Sequence, residues 1–304
     1  MVSVIGGLDA DLIMVANRIP GYGESVLANE YHEALGGKGA NQAIATYRTC
    51  HNKPREATAD SFHEGSTQFK PPQHALQQSN TNDNHEDNVH VKMIGAVGDD
   101  QYGKNFIVEL SKMGVDVSGI VTMDDTRTSI CFVMIEEPTR ENRCLFTLGA
   151  TATWKKEHFM KPEDLGGGTR PDLIVAQMEI DKEVIEKMID TAGEAEINFC
   201  LNAAPATPIS ERAYRQLTHL LVNESEAAIM SGRDRDEVNE STWSSIAQEF
   251  IDKGVENVVI TLGAKGAFYA TSKEKGHCLA YDVQVVDTTG AGSVFENESS
   301  YYAY

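Results

Sequence analysis

From residue 172 onward the sequence alternates short apolar runs with amphipathic stretches, and that alternation restricts the fold more than any other feature of the chain. Apolar, β-prone runs at 173–176, 197–201, 220–222 and 257–261 read as strands, with helical patterns at 182–192, 210–217, 224–230 and 241–253 between them. Strands separated by helices pair in parallel, and helices then cover both faces of the sheet. The expectation is an α/β fold with a mainly parallel central sheet. At 304 residues the chain holds one large domain of this kind, or a core with a small appendage. No internal repeat is visible.

Charge narrows the partners. A formal net charge of −20 repels phosphate backbones and anionic lipid, so neither nucleic acid nor a membrane surface is expected as a partner. Cys50, Cys131, Cys144, Cys200 and Cys278 are scattered, odd in number and without a C-x-x-C pair, which reads as reduced thiols rather than a disulfide frame or a zinc site. The apolar start at residues 1–8 is short and interrupted by Asp9 and Asp11, unlike a signal peptide, and no apolar run approaches the roughly 20 residues of a membrane helix. The expectation is a soluble protein of the cytoplasm, or of the nucleus.

Before residue 172 the pattern is less regular. Val2-Ser3-Val4-Ile5 reads as a short buried strand ending at Gly6-Gly7, with Asp9 and Asp11 at its C-terminal tip, where ligands sit in open α/β sheets. Those two carboxylates equally suit a turn cap. Residues 12–35 read as two short strands joined by a turn, and 128–148 as a hairpin; together they form a small separate sheet, a lid or an oligomer surface. Gly36-Gly37-Lys38-Gly39-Ala40-Asn41 precedes a helix and permits close backbone approach to a ligand, with Lys38 and Asn41 as donors, although the P-loop spacing is absent.

Residues 51–90 read as a disordered surface insertion: they are polar, carry three prolines, and space five histidines too widely for a local metal site. Val89 to Ile94 then reads as a strand, Gly95 to Asp100 as a turn, and 102–113 as a helix. Near the end, Asp287-Thr288-Thr289-Gly290-Ala291-Gly292-Ser293 groups small residues after a β-rich run. Backbone N–H groups there can crowd around an anion and stabilise a phosphate in transit.

Taken in order, these motifs resemble the ribokinase family within the wider ribokinase-like (PfkB) sugar and nucleoside kinases. The resemblance rests on Gly7 to Asp11, Gly36 to Asn41, Val97-Gly98-Asp99-Asp100, Gln177-Met178-Glu179, Asn202 to Ala206, Asn223-Glu224-Ser225-Glu226, Thr261 to Gly266, and Asp287 to Gly292. It implies a three-layer αβα sandwich with a small β lid that often supplies a homodimer interface. It further implies ATP-dependent phosphorylation of D-ribose at O5.

By the same resemblance, Asp9, Asp11, Gly37, Lys38, Asn41 and Glu179 hold the sugar hydroxyls, and Asn223, Thr261, Gly263 and Gly266 serve ATP. Glu226 belongs to the Mg2+ region. Asp287 and Thr289 ligate a monovalent cation, usually K+, behind an anion hole at Gly290, Ala291 and Gly292. Another sugar or nucleoside kinase shares this scaffold, whereas a nicotinamide dehydrogenase is disfavoured because no G-x-G-x-x-G follows the first strand.

Ser293 stands where the family has an aspartate, the base that takes the proton of the attacking hydroxyl. A serine hydroxyl is about as weakly acidic as the nucleophile it would activate. Residues 294–304 are polar and tyrosine-rich where the family continues into helices that complete the adenine site, and the loss of pattern after Gly292 reads as a change of frame or splice register. A truncated or catalytically impaired kinase is expected, with a non-catalytic sugar- or nucleotide-binding protein as the alternative.

Overall fold

Val2–Ile5 forms strand β1, which has a parallel partner on each edge and is almost wholly buried. The computed structural model describes residues 1–51, 89–139 and 141–280. After β1 come β2 (Asp9–Ala16), β3 (Glu30–Gly36), helix α1 (Lys38–Cys50), β4 (Val91–Gly98), α2 (Gln101–Lys112), β5 (Asp116–Met123), β6 (Ser129–Glu136) and β7 (Asn142–Thr147). Three 3₁₀ turns between Gly149 and Gly166 lead to β8 (Leu173–Gln177), α3 (Lys182–Glu194), β9 (Asn198–Asn202), the single-turn α4 (Glu211–Tyr214) and β10 (His219–Asn223). The described chain closes with α5 (Glu224–Ser231), α6 (Trp243–Asp252), β11 (Asn257–Thr261), β12 (Ala267–Thr271) and β13 (Lys275–Cys278).

The main sheet runs β13-β12-β11-β10-β9-β8-β1-β4-β5. It is parallel from β5 to β11, and β12 and β13 add an antiparallel hairpin at one edge. From β1 the chain builds outward through β4 and β5, then returns to β8 and builds the other way. The order therefore reverses between β1 and β8, and ligands bind at such a switch point.

Alternate residues of each strand enter opposite cores, which produces the three layers. Ile174, Ala176, Phe199, Leu201, Leu220, Val222, Val258 and Ile260 pack with apolar residues of α3, α5 and α6. Val175, Cys200, Leu221 and Val259 turn to the other core, where Ala40 and Ala43 of α1 and Phe106 and Leu110 of α2 pack.

Several local expectations change. Asp9 and Asp11 are neither a turn nor the tip of β1; they begin β2, the first strand of a second sheet ordered β3-β2-β6-β7. Residues 95–98 continue β4 because the strand stays buried to its end, and Gly98 is there for contact: a Cβ on it would lie 2.2 Å from Thr126 O. The half-exposed strand β5 escaped sequence reading altogether. The helix expected over 210–217 shrinks to one turn, since Thr218 N–H bonds to Phe199 O at 3.1 Å and draws the chain into the sheet.

In the small sheet β2 pairs parallel to β6 and antiparallel to β3, and β6 pairs antiparallel to β7. None of the five cysteines forms a disulfide. Among the described residues no helix is long and apolar enough to cross a membrane. The polar segment expected over 51–90 falls largely, and the stretch from Asp287 to the tail entirely, outside the described residues.

Candidate active site

The site forms where two glycine-rich bends cross. Gly6-Gly7 carries the chain from β1 into β2, and Gly37 opens α1 with φ 84°, a left-handed conformation that favours glycine. A Cβ on Gly37 would meet Asp9 N at 2.6 Å, and one on Gly39 would meet the Gly6 carbonyl carbon at 2.6 Å. Backbone thus lies on backbone, tied by Ala40 N–H donating to Gly7 O at 3.2 Å. The start of α1 has no side-chain cap of its own; Lys38 N–H instead donates to Glu179 Oε2 at 2.9 Å. A carboxylate at a helix N-terminus is stabilised by the orphan amides and the helix dipole.

Three carboxylates from two distant parts of the chain gather here, Asp9 and Asp11 on β2 and Glu179 after β8. Asp9 is 8% exposed, and burial pushes its carboxyl above the ordinary range against the opposing pull of a Ser129 hydrogen bond and the Lys38 charge. Burial and then the neighbouring Asp9 raise Asp11 to about 6, again opposed by Lys38. Glu179 is raised to about 7, by burial first and Asp9 second. The three cannot all ionise freely in one half-enclosed space, so each carries acceptor capacity that a donor from a ligand can complete. Asn41, also in the first turn of α1, anchors its N–H on Gly37 O at 3.0 Å.

Farther along the same edge the second group stands at the ends of β10 and β11. Asn223 and Thr261 are register partners. Asn223 caps α5: its Oδ1 accepts from Glu226 N–H at 2.8 Å, and Glu226 Oε2 accepts from Asn223 N–H at 2.7 Å. Burial raises the Glu226 carboxyl, while the Asn223 N–H and Lys38 pull it down. The Lys38 charge is therefore felt by Asp9, Asp11, Glu179 and Glu226, and links the two groups. Thr261 leads to a tight turn with Gly263 and Gly266 at positive φ, closed by Leu262 N–H donating to Gly266 O at 2.8 Å.

The fold thus gathers Asp9, Asp11, Gly37, Lys38, Asn41 and Glu179 into one place and sets Asn223, Glu226, Thr261, Gly263 and Gly266 beside it. Asp287, Thr289, Gly290, Ala291, Gly292 and Ser293 lie outside the described residues. Sequence reading missed Ser129, which faces Asp9 across the β2–β6 pair. It also missed the buried pair Gln42 and Gln177, in which Gln177 Nε2 donates to Gln42 Oε1 beneath Gly6. Gln177 stands in the Gln177-Met178-Glu179 motif, but only the strand register and the helix face reveal Ser129 and the Gln42 partner.

Buried acceptors for hydroxyls beside a capped, glycine-turned edge suited to an anion define a class: phosphotransferases acting on polyhydroxylated small molecules. Residues 85–295 match the family described as pfkB family carbohydrate kinase. Over 296 residues, 96% of this chain and 81% of the relative, the sequence is 30% identical to a ribokinase of Schizosaccharomyces pombe. It is 28% identical to a deoxyribokinase of Salmonella typhi over 97% of this chain and 82% of that protein. The solved ribokinase of Thermotoga maritima superposes with a TM-score of 0.74 at 25% identity, covering 98% of this chain and 83% of that one. The chain belongs to the pfkB family of carbohydrate kinases, and by that membership is an ATP-dependent kinase.

Proposed function

We propose that the protein takes D-ribose as its sugar, directs phosphoryl transfer from ATP to O5, and does so weakly because Ser293 stands in the base position. The observation that carries the reading is the gathering of Asp9, Asp11 and Glu179 around the Lys38 end of α1. Carboxylates and amides that accept from or donate to vicinal hydroxyls distinguish a sugar from apolar competitors, because an unmatched buried polar group is costly. Asp9, Asp11, Gly37, Lys38, Asn41 and Glu179 hold the sugar, and Asn223, Thr261, Gly263 and Gly266 hold the nucleotide.

The residues fit the ions the reaction needs. Mg2+ keeps several waters and uses one or two carboxylates together with substrate phosphates, and Glu226, one oxygen engaged in its cap, offers such a carboxylate. Asp287 and Thr289 supply hard oxygen donors suited to a monovalent cation such as K+. Bound Mg2+ would neutralise charge on the phosphates, and Gly290, Ala291 and Gly292 would offer backbone N–H groups to the transferring phosphoryl. The edge strands of the small sheet, with Tyr31 49% and Leu145 67% exposed, make the surface of a homodimer in the cytoplasm.

Ser293 favours a second reading, a sugar-binding protein that has lost the chemistry. Calorimetry with ribose, deoxyribose and a non-hydrolysable ATP analogue, paired with a coupled phosphorylation assay, separates the two. Ribose binding with slow turnover supports the proposal; binding without turnover supports the second reading. A preference for deoxyribose reassigns the substrate, and no binding of either pentose refutes both.

A further inference from the structure

The small sheet meets the main sheet at a crossing whose hydrogen bonds exceed what local structure requires. Asp100 caps α2, its Oδ1 accepting from Gly103 N–H at 3.0 Å. The same carboxylate also accepts from Thr128 Oγ1 at 2.7 Å and, through Oδ2, from Thr128 N–H at 2.8 Å. Thr128 Oγ1 in turn accepts from Gly98 N–H at 3.0 Å. An N-cap needs only one acceptor oxygen. The second oxygen of Asp100 is spent entirely on the residue that precedes β6, so the bond ties elements rather than ending a helix.

The packing around these bonds leaves no slack. Thr128 is fully buried, and a Cβ on Gly103 would lie 2.2 Å from Gly98 O. On the far side, Ala150 N–H donates to Arg127 O at 2.8 Å. Ser129 follows immediately, 1% exposed, with its hydroxyl donating to Thr147 O in the β7 strand and lying within hydrogen-bond reach of the Asp9 carboxylate. One hydroxyl proton serves one acceptor at a time. When it goes to Thr147 O, a hydroxyl of the ligand can take its place at Asp9.

We infer that Asp100 and Thr128 are positioning residues for the sugar-binding carboxylate: they pin the start of β6 to the ends of β4 and α2, and through Ser129 set the place of Asp9. For its ligand the inference rests on the pentose-kinase reading above. Neither residue belongs to the cluster of Asp9, Asp11 and Glu179, so the effect of removing either is read at a distance.

Three substitutions test this. Thr128→Val keeps the shape and removes the hydroxyl, whereas Thr128→Ser keeps the hydroxyl and is the conservative control. Asp100→Asn retains an acceptor for Gly103, hence the cap, but its amide cannot accept from Thr128 N–H; it decides the matter should the valine variant not fold. Amide hydrogen exchange on the full chain without ligand, and calorimetric affinity for ribose and an ATP analogue, are the readouts.

Thr128→Val and Asp100→Asn should speed exchange in β2 and β6 about tenfold relative to β8 and β11, and weaken ribose binding about tenfold. ATP-analogue affinity should stay within about twofold and Thr128→Ser should behave as the parent. Unchanged exchange and ribose affinity overturn the inference, as does a parallel loss of ribose affinity, nucleotide affinity and exchange protection throughout the main sheet. If the parent protein binds no ribose, the substrate reading falls, and the exchange comparison alone still decides whether the crossing is a pin.

Discussion

At Asn223 the chain satisfies a helix terminus with Glu226, three residues away, whereas at Lys38 it reaches 141 positions along the chain to Glu179. Both solutions quiet orphan N–H groups on the same sheet edge. The first is complete once Asn223 to Glu226 fold; the second exists only when β1, β8 and α1 are already packed together. On the proposed reading, the nucleotide half of the edge is thus built from local caps and turns, and the sugar half from tertiary crossings. A local motif is robust and generic, while a crossing couples affinity to the register of the whole sheet.

The largest expected effect lies at Ser293, the base position of the proposed reaction. Ser293→Asp should raise kcat by roughly 10²–10⁴, the usual contribution of a positioned base, with ribose affinity unchanged. A coupled assay reads this, and an unchanged kcat would move the defect elsewhere. Next, Asp11→Asn should weaken ribose binding by about 1.5–3 kcal/mol through loss of charged hydrogen bonds, leaving nucleotide affinity intact. If both affinities fall together in calorimetry, the two halves are not separable and the comparison breaks.

The pH response is smaller and has a definite sign. With Asp11 raised to about 6 and Glu179 to about 7, the native site holds protons that the unfolded chain releases nearer pH 4. Their raised values therefore make stability fall as pH climbs from about 4 to 7, and little further above that. Ribose affinity moves the other way, because ionised carboxylates are the better acceptors; it should rise up to about tenfold between roughly pH 5.5 and 7.5. A flat calorimetric profile would show that the site titrates as a neutral set. Smallest of all, Asn223→Ala should cost about 1 kcal/mol of stability through the lost cap, seen as a shifted denaturation midpoint with ribose affinity unaltered.

The same contrast explains what could be read from the sequence. Strands such as Asn257–Thr261 and the cap at Asn223 announce themselves by periodicity and by residue types a few positions apart. Asp9 and Asp11 were legible as a pair of carboxylates just past the first strand, yet the strand they begin was not, because Gly6 and Gly7 look like a turn that ends an element. Strand β5 carries exposed positions and a glycine, which hides its period. The facing of Ser129 on Asp9 and of Gln42 on Gln177 comes from strand register and helix packing, and no short-range pattern encodes which residue faces which.

The route of the chain through the two sheets also sets an order of events in folding. The small sheet is closed by pairing residue 9 with residue 129, and the hairpin that follows is made before the chain returns to β8. Loop closure over that separation is slow, whereas β8, β9, β10 and β11 pair in chain order through short crossovers and can assemble the larger core's half of the sheet first. Trp154 and Trp243 lie in the larger core and report its burial. During refolding their fluorescence should recover first and the capacity to bind a pentose should follow as a later phase. A nascent chain would then acquire a solid interior before it acquires a ligand.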